Sequence, residues 1–275
     1  MSAARRIDGA RRSCLVLGSA LAFGLPAARA QRRAPSPLNG DDPFGSMAWP
    51  GLRRSLAGEQ PVAFHGGIVV SAPAVAEDAS QVAVMITADA IESAQRIWLL
   101  ADRNPMPLVA DLRLGPGLLP RLGLRIRLEE STAVRALVHT RDGQWYAGGA
   151  WVDTAGGGCS QATGRPPSRD GPRMQGRVFE APGLEAPPGA TRVATARLKL
   201  RVEHPMDSGW IPGQAEHRVR FLELQGTPGQ VLARMELFPS VSSDPLISLD
   251  LASARRKLAI AALDNHGHRI LAQTH

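Results

Sequence analysis

The pattern of apolar and polar positions predicts two series of short β-strands. In the first series, alternating or β-branched runs occur at residues 62–71, 81–87, 96–101, 108–114, 122–128, 133–140 and 145–152. Such close spacing is typical of a β-sandwich. Asp142-Gly143 separates the last two runs, and this dipeptide favours a tight hairpin because both residues tolerate positive φ.

A second strand series occupies the end of the chain and predicts a second sandwich. Its runs are residues 192–203, 217–224, 231–237, 246–251 and 257–263. Residues 160–190 contain six prolines and five glycines, which indicates a linker, and residues 31–60 resemble a loosely ordered lead-in. We therefore predict an all-β protein with sandwich domains at 61–159 and 191–275, joined by a Pro/Gly-rich linker that dilute protease cuts without separating the halves.

Composition agrees with this fold class. Aromatic residues make up 4% of the 275 residues, and the chain contains 22 prolines and 28 glycines. These values disfavour a helical bundle and favour turn-rich β architecture.

The net charge of +7 is not a nucleic-acid signature, because much of it lies in residues 1–30. That segment has five arginines against one aspartate, an uncharged apolar run after Arg12, and the small-residue site Ala28-Arg29-Ala30. This order is typical of an export signal cut after Ala30. We expect a periplasmic protein, exported by the twin-arginine or the Sec route, with no membrane span after cleavage and no nucleic-acid partner.

Signal cleavage leaves Cys159 as the only cysteine, because Cys14 departs with the signal. Cys159 follows Gly156, Gly157 and Gly158, which give a backbone maximal freedom and offer nothing to bury a thiol. We interpret the segment as a flexible arm that carries the thiol outside any core. Cys159→Ser is then expected to change stability by no more than about 0.5 kcal/mol. The alternative is an unimportant thiol on a loop.

A thiol enzyme is a weaker interpretation. No Lys, Arg or His lies within five residues of Cys159, whereas an activated cysteine needs a nearby cation or base. His139 could approach in space, but a strand histidine is more often structural. His266-Gly-His268 lies in a predicted turn and would need further ligands to hold a metal ion, so no metal site or cofactor is expected. Four tryptophans are expected to anchor the core or an interface, namely Trp98, Trp145, Trp151 and Trp210.

Several motifs resemble the SoxY and SoxZ subunits of the bacterial sulfur-oxidation carrier, here fused in one chain. The SoxY-like features are the segment at 97–110 with its Asn-Pro-Met-Pro, the Asp142-Gly143 hairpin and the glycine-rich cysteine arm. The SoxZ-like features are His-Pro-Met-Asp-Ser-Gly at 204–209, Ser-Asp-Pro-Leu at 243–246, and Asp264-Asn265 followed by Gly267. His204 belongs to this motif, and we interpret it as a structural anchor at a strand end.

The resemblance implies two immunoglobulin-like sandwiches packed against each other and a cysteine that carries sulfur intermediates covalently. It implies a carrier rather than an enzyme, with sulfur-oxidising enzymes as partners and thiosulfate oxidation as the process. The family's arm ends the chain in Gly-Gly-Cys-Gly-Gly, whereas Ser160-Gln161 and a linker follow here. Fused carriers of this shape are similar to a subgroup associated with quinoprotein alcohol dehydrogenases. The rival hypothesis is therefore a non-covalent adaptor for such a dehydrogenase. The sequence does not identify the group that Cys159 would carry.

The export signal makes a direct prediction. Because a charged start, an apolar run and Ala-x-Ala occur in the required order, the exported protein should begin at Gln31. N-terminal sequencing of the periplasmic fraction checks this start. Cytoplasmic protein that retains Met1 would contradict it.

Overall fold

The computed structural model describes residues 42–160, 171–180, 185–194, 196–226, 229–253 and 257–274. The predicted export signal and the lead-in up to residue 41 lie outside the described residues. Among the described residues, no helix is long and apolar enough to cross a bilayer.

The described residues form one helix and sixteen strands, so the prediction of an all-β protein is confirmed. The helix is α1 (Trp49–Ala57). The strands are β1 (Ala63–Phe64), β2 (Val69–Ser71), β3 (Val75–Ala76), β4 (Val82–Thr87), β5 (Ala94–Ala101), β6 (Leu108–Leu114), β7 (Arg121–Ile126), β8 (Thr132–Thr140), β9 (Trp145–Thr154), β10 (Arg173–Glu180), β11 (Ala196–Glu203), β12 (Val219–Gln225), β13 (Val231–Leu237), β14 (Leu246–Leu251), β15 (Ala259–Asp264) and β16 (Arg269–Gln273).

Two sheets each take strands from both halves of the chain. The larger sheet has the order β1-β9-β8-β5-β6-β13-β12-β15-β16, with β3 also pairing with β9, and the smaller has the order β10-β11-β14-β7-β4-β2. In the larger sheet, β6 and β13 pair antiparallel from Ala110↔Leu237 to Leu114↔Ala233. In the smaller sheet, β7 and β14 meet at Gly123↔Ser248. The two sandwiches are therefore joined edge to edge.

A continuous apolar core fills the space between the sheets. Val84 and Ile86 on β4 and Leu198 and Leu200 on β11 belong to one cluster of buried residues, although they come from different halves. Each pair is spaced by two residues because successive strand side chains point to opposite faces. This period is the signal from which the strands were predicted.

Strand β10 corrects the predicted linker at 160–190. Arg173–Glu180 pairs antiparallel with β11 from Arg173↔Glu203 to Glu180↔Ala196. Met174 points into the core, and Gly176 lies under Ile260, where a Cβ would be 2.7 Å from the Ile260 Cδ1 atom. The sequence pattern did not predict this strand, because prolines and glycines surround it and only its inward positions are apolar.

Helix α1 likewise corrects the predicted lead-in at 31–60. The helix begins at Trp49-Pro50, and proline suits the first turn because its nitrogen has no hydrogen to leave unpaired. The Trp49 ring packs on Phe64 at a centroid distance of 5.7 Å, in a small second core with Trp98 and Leu137. This part of the lead-in is a packed element of the first half.

A buried ion cluster links the two halves where β7 meets β14. Arg121, 2% exposed, donates from Nε to Asp89 Oδ1 at 3.0 Å and from Nη1 to Asp250 Oδ2 at 2.9 Å. Asp89 belongs to the first half and Asp250 to β14, while Arg197 also donates to Asp250 Oδ1 at 2.6 Å. Burial of charge is tolerated here because each charged group has an opposite partner.

Replacing this arginine should destabilise the whole protein. Arg121→Met leaves Asp89 buried without its cation, so we expect a loss of about 3–5 kcal/mol in the free energy of unfolding. Urea denaturation measures the loss. The matched control is Arg234→Met, which removes an exposed ion pair with Glu223 and should cost less than about 1 kcal/mol. Equal losses in the two variants would contradict the structural role of Arg121.

Candidate functional site

Cys159 lies at the end of a short segment that leaves β9 and folds back onto the protein. The side chain is 3% exposed and the thiol is free. The predicted exposed arm is therefore corrected: the structure shows the cysteine docked in a niche between the two halves.

The three glycines are needed for close approach to neighbouring backbone. Gly157 N donates to the Glu129 carbonyl at 2.8 Å, and Gly158 N donates to the Leu128 carbonyl at 3.0 Å. A Cβ at Gly158 would lie 2.1 Å from the Ala79 carbonyl oxygen, and Gly156 has a φ of +87° that side-chain-bearing residues rarely adopt. The glycines thus allow docking, which replaces the freely flexible arm expected from the sequence.

Glu129 holds the end of the docked segment with its carboxylate. Glu129 Oε2 accepts from the Cys159 amide at 3.0 Å and from the Ser160 amide at 3.2 Å, and the Ser160 hydroxyl donates to Oε1. Hydrogen bonds to an ionised acceptor are among the strong ones. Sequence reasoning missed Glu129 because it lies 30 residues away, at the end of a predicted strand.

The Asn-Pro-Met-Pro motif positions the segment that carries Glu129. Asn104 Nδ2 donates to the Arg127 carbonyl at 2.7 Å, and Asn104 Oδ1 accepts from the Glu129 amide at 2.9 Å. The Met106 carbonyl accepts from the Ser240 hydroxyl at 2.8 Å. Ser240 in turn faces the Cys159 thiol and acts to lower its pKa. The motif therefore supports the niche from beneath.

The His-Pro-Met-Asp-Ser-Gly motif closes the niche from the other half of the chain. The buried Arg127 guanidinium donates from Nη1 to the Met206 carbonyl at 2.7 Å. The Ser208 hydroxyl donates to the Cys159 carbonyl at 3.5 Å. Motifs that are about 100 residues apart in the sequence thus contact the same cysteine segment.

The docked thiol is protonated and unreactive at neutral pH. Burial, reinforced by the negative charge of Glu129, raises the pKa of Cys159 to about 11, although Arg127 acts in the opposite direction. The thiolate is the nucleophilic form of cysteine. His139 does not assist, because its ring packs tilted against Trp145 at a centroid distance of 4.4 Å and its Nδ1 lies 3.1 Å from Gln95 Nε2. The docked arrangement protects the thiol.

The tryptophans only partly follow their prediction. Trp98 is buried and stacks on Trp145 at a centroid distance of 5.1 Å. Trp151 is half-buried and donates to Asp153 Oδ1 at 2.7 Å. Trp210 is 47% exposed, so the structure does not make it a core anchor.

The histidines also differ in part from their prediction. The His204 amide donates to Asp244 Oδ1 at 3.0 Å, which fits the predicted anchor at a strand end. Burial, with the charge of His217, lowers the pKa of His204 to about 4. The structure also offers a candidate ligand group that the sequence did not predict, because His204, His217 and Asp264 bring candidate ligand atoms together within 4.8 Å of one another.

Comparison with known proteins finds a family that part of the first half resembles. Residues 53–159 match the family model of the sulfur oxidation protein SoxY. Residues 53–159 are SoxY-like. This match confirms the SoxY resemblance, and it ends at Cys159. The fusion with a SoxZ-like half and the dehydrogenase-associated subgroup stay predictions.

The matching solved structures include the sulfur carrier protein SoxY from Chlorobium limicola f thiosulfatophilum. It is 23% identical, with a TM-score of 0.36, and the match covers 39% of this chain and 96% of that chain. No curated protein matches the chain.

The raised thiol pKa predicts slow alkylation of the folded protein. With a pKa of about 11 for Cys159 against about 8.5 for a free cysteine, native protein at pH 8 should react with iodoacetamide about 200-fold more slowly than urea-unfolded protein. The rate should rise with pH up to about 11. Alkylation that is quenched at intervals and followed by mass spectrometry gives the rate. The Cys14→Ser variant is used so that Cys159 is the cysteine that reacts. Equal rates in native and unfolded protein would refute the docked site.

Glu129→Gln tests the clamp in the same assay. The variant removes the charge that raises the thiol pKa and weakens the bonds that hold the segment, so alkylation should accelerate by roughly tenfold. Glu130→Gln is the matched control, since Glu130 lies next in the sequence and its exposed carboxylate lies 3.9 Å from the Arg103 guanidinium. The control should keep the wild-type rate.

Proposed function

We propose that this protein carries sulfur intermediates covalently on the Cys159 thiol. The observation that carries the proposal is that the SoxY match extends to Cys159, the residue that the motifs of both halves enclose. We further propose that residues 191–275 are the SoxZ-like partner half, supplied in the same chain. The edge-to-edge sheets and the Arg121 cluster support this assignment.

The docked thiol is proposed as the resting state of the carrier. Release breaks the Glu129 bonds to Cys159 and Ser160 and the backbone bonds of Gly157 and Gly158. Once released, the thiol loses the burial and the neighbouring carboxylate that raise its pKa, so more of it becomes thiolate. Loading is then coupled to undocking, because only the released form is nucleophilic at neutral pH.

A balanced loading step needs no oxidant. A partner persulfide transfers its terminal sulfur: partner–S–SH and Cys159–SH become partner–SH and Cys159–S–SH. The released Cys159 thiolate attacks the outer sulfur, the partner sulfur leaves as thiolate, and one proton returns to it. The chain itself provides attachment and protection, and the partner performs the chemistry. The carrier is therefore proposed to be no enzyme and to need no cofactor.

The compartment and partners follow from the same proposal. The export signal at residues 1–30 supports a periplasmic location, reached by the twin-arginine or the Sec route. Sulfur-oxidising enzymes are the proposed partners. The chain continues past Cys159, so a partner meets an internal segment rather than a free chain end.

The burial of Cys159 favours one rival function. A thiol that stays docked throughout would suit a non-covalent adaptor for a periplasmic quinoprotein alcohol dehydrogenase, in which the cysteine has only a packing role. The two functions differ in whether Cys159 ever bears a bound group. That difference decides the experiment.

Protein purified from its native compartment without reductant should carry added sulfur on the Cys159 peptide. Intact and peptide mass spectrometry before and after reductant should show a labile addition, with persulfide as the simplest form. Cys159→Ser should lack the addition and fail to support sulfur oxidation. Glu130→Gln is the control, since it keeps both the thiol and the Glu129 clamp. A fully active Cys159→Ser strain would eliminate the carrier and leave the adaptor.

The Cys159→Ser variant should still fold. Its hydroxyl can bond with Ser240 inside the niche, so we expect a loss of about 1 kcal/mol in the free energy of unfolding. This value exceeds the ~0.5 kcal/mol typical of an exposed site, because the side chain is buried. Urea denaturation of the variant separates a loss of carriage from a loss of folding.

A further inference from the structure

A cluster of four histidines and one aspartate lies at one end of the second half. His204 follows β11, and His217 precedes β12, where it pairs with Asp207 in an isolated bridge. Asp264 is the last residue of β15, and His266 and His268 lie in the turn to β16. Three separate segments thus converge on one carboxylate.

Three imidazole nitrogens surround a single oxygen, Oδ2 of Asp264. His268 Nδ1 lies 2.7 Å from this atom, His217 Nε2 lies 3.1 Å away and His204 Nε2 lies 3.7 Å away. Ligands that hold zinc at about 2.0–2.2 Å in a tetrahedron are separated by roughly 3.4 Å. The distances from Oδ2 to His217 and His204 lie on either side of this separation, and the candidate ligand atoms of His204, His217 and Asp264 all lie within 4.8 Å of one another. The 2.7 Å distance to His268 is that of a hydrogen bond.

Backbone amides, rather than imidazole rings, hold the Asp264 carboxylate in position. Asp264 Oδ1 accepts from the His266 amide at 2.9 Å and from the His268 amide at 2.8 Å. Asn265 ties the same turn to the β12 side, since its Oδ1 accepts from the Arg218 amide at 2.9 Å and its Nδ2 donates to the Glu216 carbonyl at 2.8 Å. Oδ2 is left facing the imidazoles. Such support around a ligand is typical of metal sites.

The buried ring of His204 provides an independent observation. Its side chain is 0% exposed, and within the described part of the chain its Nε2 atom has no hydrogen-bond partner. Buried polar atoms are otherwise almost always paired. The unpaired atom is aimed at the same point as His217 Nε2 and Asp264 Oδ2, so it lacks a partner where a metal ion would supply one.

We propose that His204 Nε2, His217 Nε2 and Asp264 Oδ2 bind one divalent transition-metal ion of the zinc type, with His268 as the fourth ligand on the open side. Imidazole and carboxylate ligands in this number suit Zn²⁺. His268 is 58% exposed, and His266 stacks parallel on His217 at a centroid distance of 4.1 Å. The exposed side gives the ion a path of entry.

Metal binding changes one local hydrogen bond. His204 Nδ1 now accepts from the Met206 amide at 3.1 Å, whereas coordination through Nε2 places the remaining ring proton on Nδ1. The Met206 amide then turns away from the ring. Met206 contacts Arg127, and Ser208 contacts the Cys159 carbonyl. A change at the Met206 amide therefore affects the loop that closes the niche. The metal site stands independently of the carrier role.

Titration of untagged, chelator-treated protein with ZnCl₂ tests the proposal by calorimetry. We expect one equivalent to bind, and we expect affinity to fall by at least about 100-fold in Asp264→Asn and in His217→Ala. Asn at 264 keeps an oxygen for the turn amides but removes the anionic ligand. His65→Ala is the matched control, because His65 is an exposed histidine outside the cluster, and should bind as the wild type does.

Two further readouts keep the test decisive. Co²⁺ added in place of Zn²⁺ should give the intense visible bands of a four-coordinate site, and Zn²⁺ should raise the melting temperature of the wild type but not of Asp264→Asn. Cys159→Ser should bind as the wild type does, which excludes the thiol. Melting without metal checks that each variant is folded. Wild-type binding no tighter than that of Asp264→Asn, or equal weakening in His65→Ala, would overturn the site.

Discussion

The pairing of β6 with β13 is the constraint on which the rest of the molecule depends. This ladder joins the two halves into one sheet and sets the segments at 127–129 and 204–209 against each other. Without it, Arg127 would lose the Met206 carbonyl and Cys159 would lose Ser208. The niche around the thiol is therefore a property of the junction, and neither half contains it alone.

The balance between burial and release gives the site its chemistry. In the docked segment, burial and Glu129 both disfavour the thiolate, while Arg127 and Ser240 favour it. The same contacts that hold the segment also make the Cys159 thiol unreactive, so docking and loss of reactivity have one cause. A partner that competes for the Glu129 carboxylate would reverse both together.

The strands were largely predictable from sequence because their apolar residues alternate, as at Val84 and Ile86. Strand β10 was not, since Gly176 occupies an inward position that Ile260 fills from across the core. Helix α1 was missed because Trp49 and Pro50 stand in a proline- and glycine-rich region.

Cys159 was identifiable from its place after β9, but its burial was not. In a sequence, a run of glycines indicates a flexible backbone, but in a fold it can instead allow two backbone segments to pack closely. Only the neighbouring backbone, here at Ala79 and Leu128, distinguishes these two roles. Glu129 and the Asp264 cluster depend on contacts between distant segments. Asn104 and Ser208 were marked by their motifs, although nothing in the motifs showed that they meet.

The edge-to-edge junction also bears on aggregation. A strand at the edge of a sheet exposes unpaired amides and carbonyls that can template the addition of another chain. In a separated half, β6 or β13 would become such an edge, with the buried side chains of Leu112 and Met235 beside it. Carrying both halves in one polypeptide means that each edge is synthesised together with its complement. The single polypeptide thus protects each half against self-association as well as building the niche.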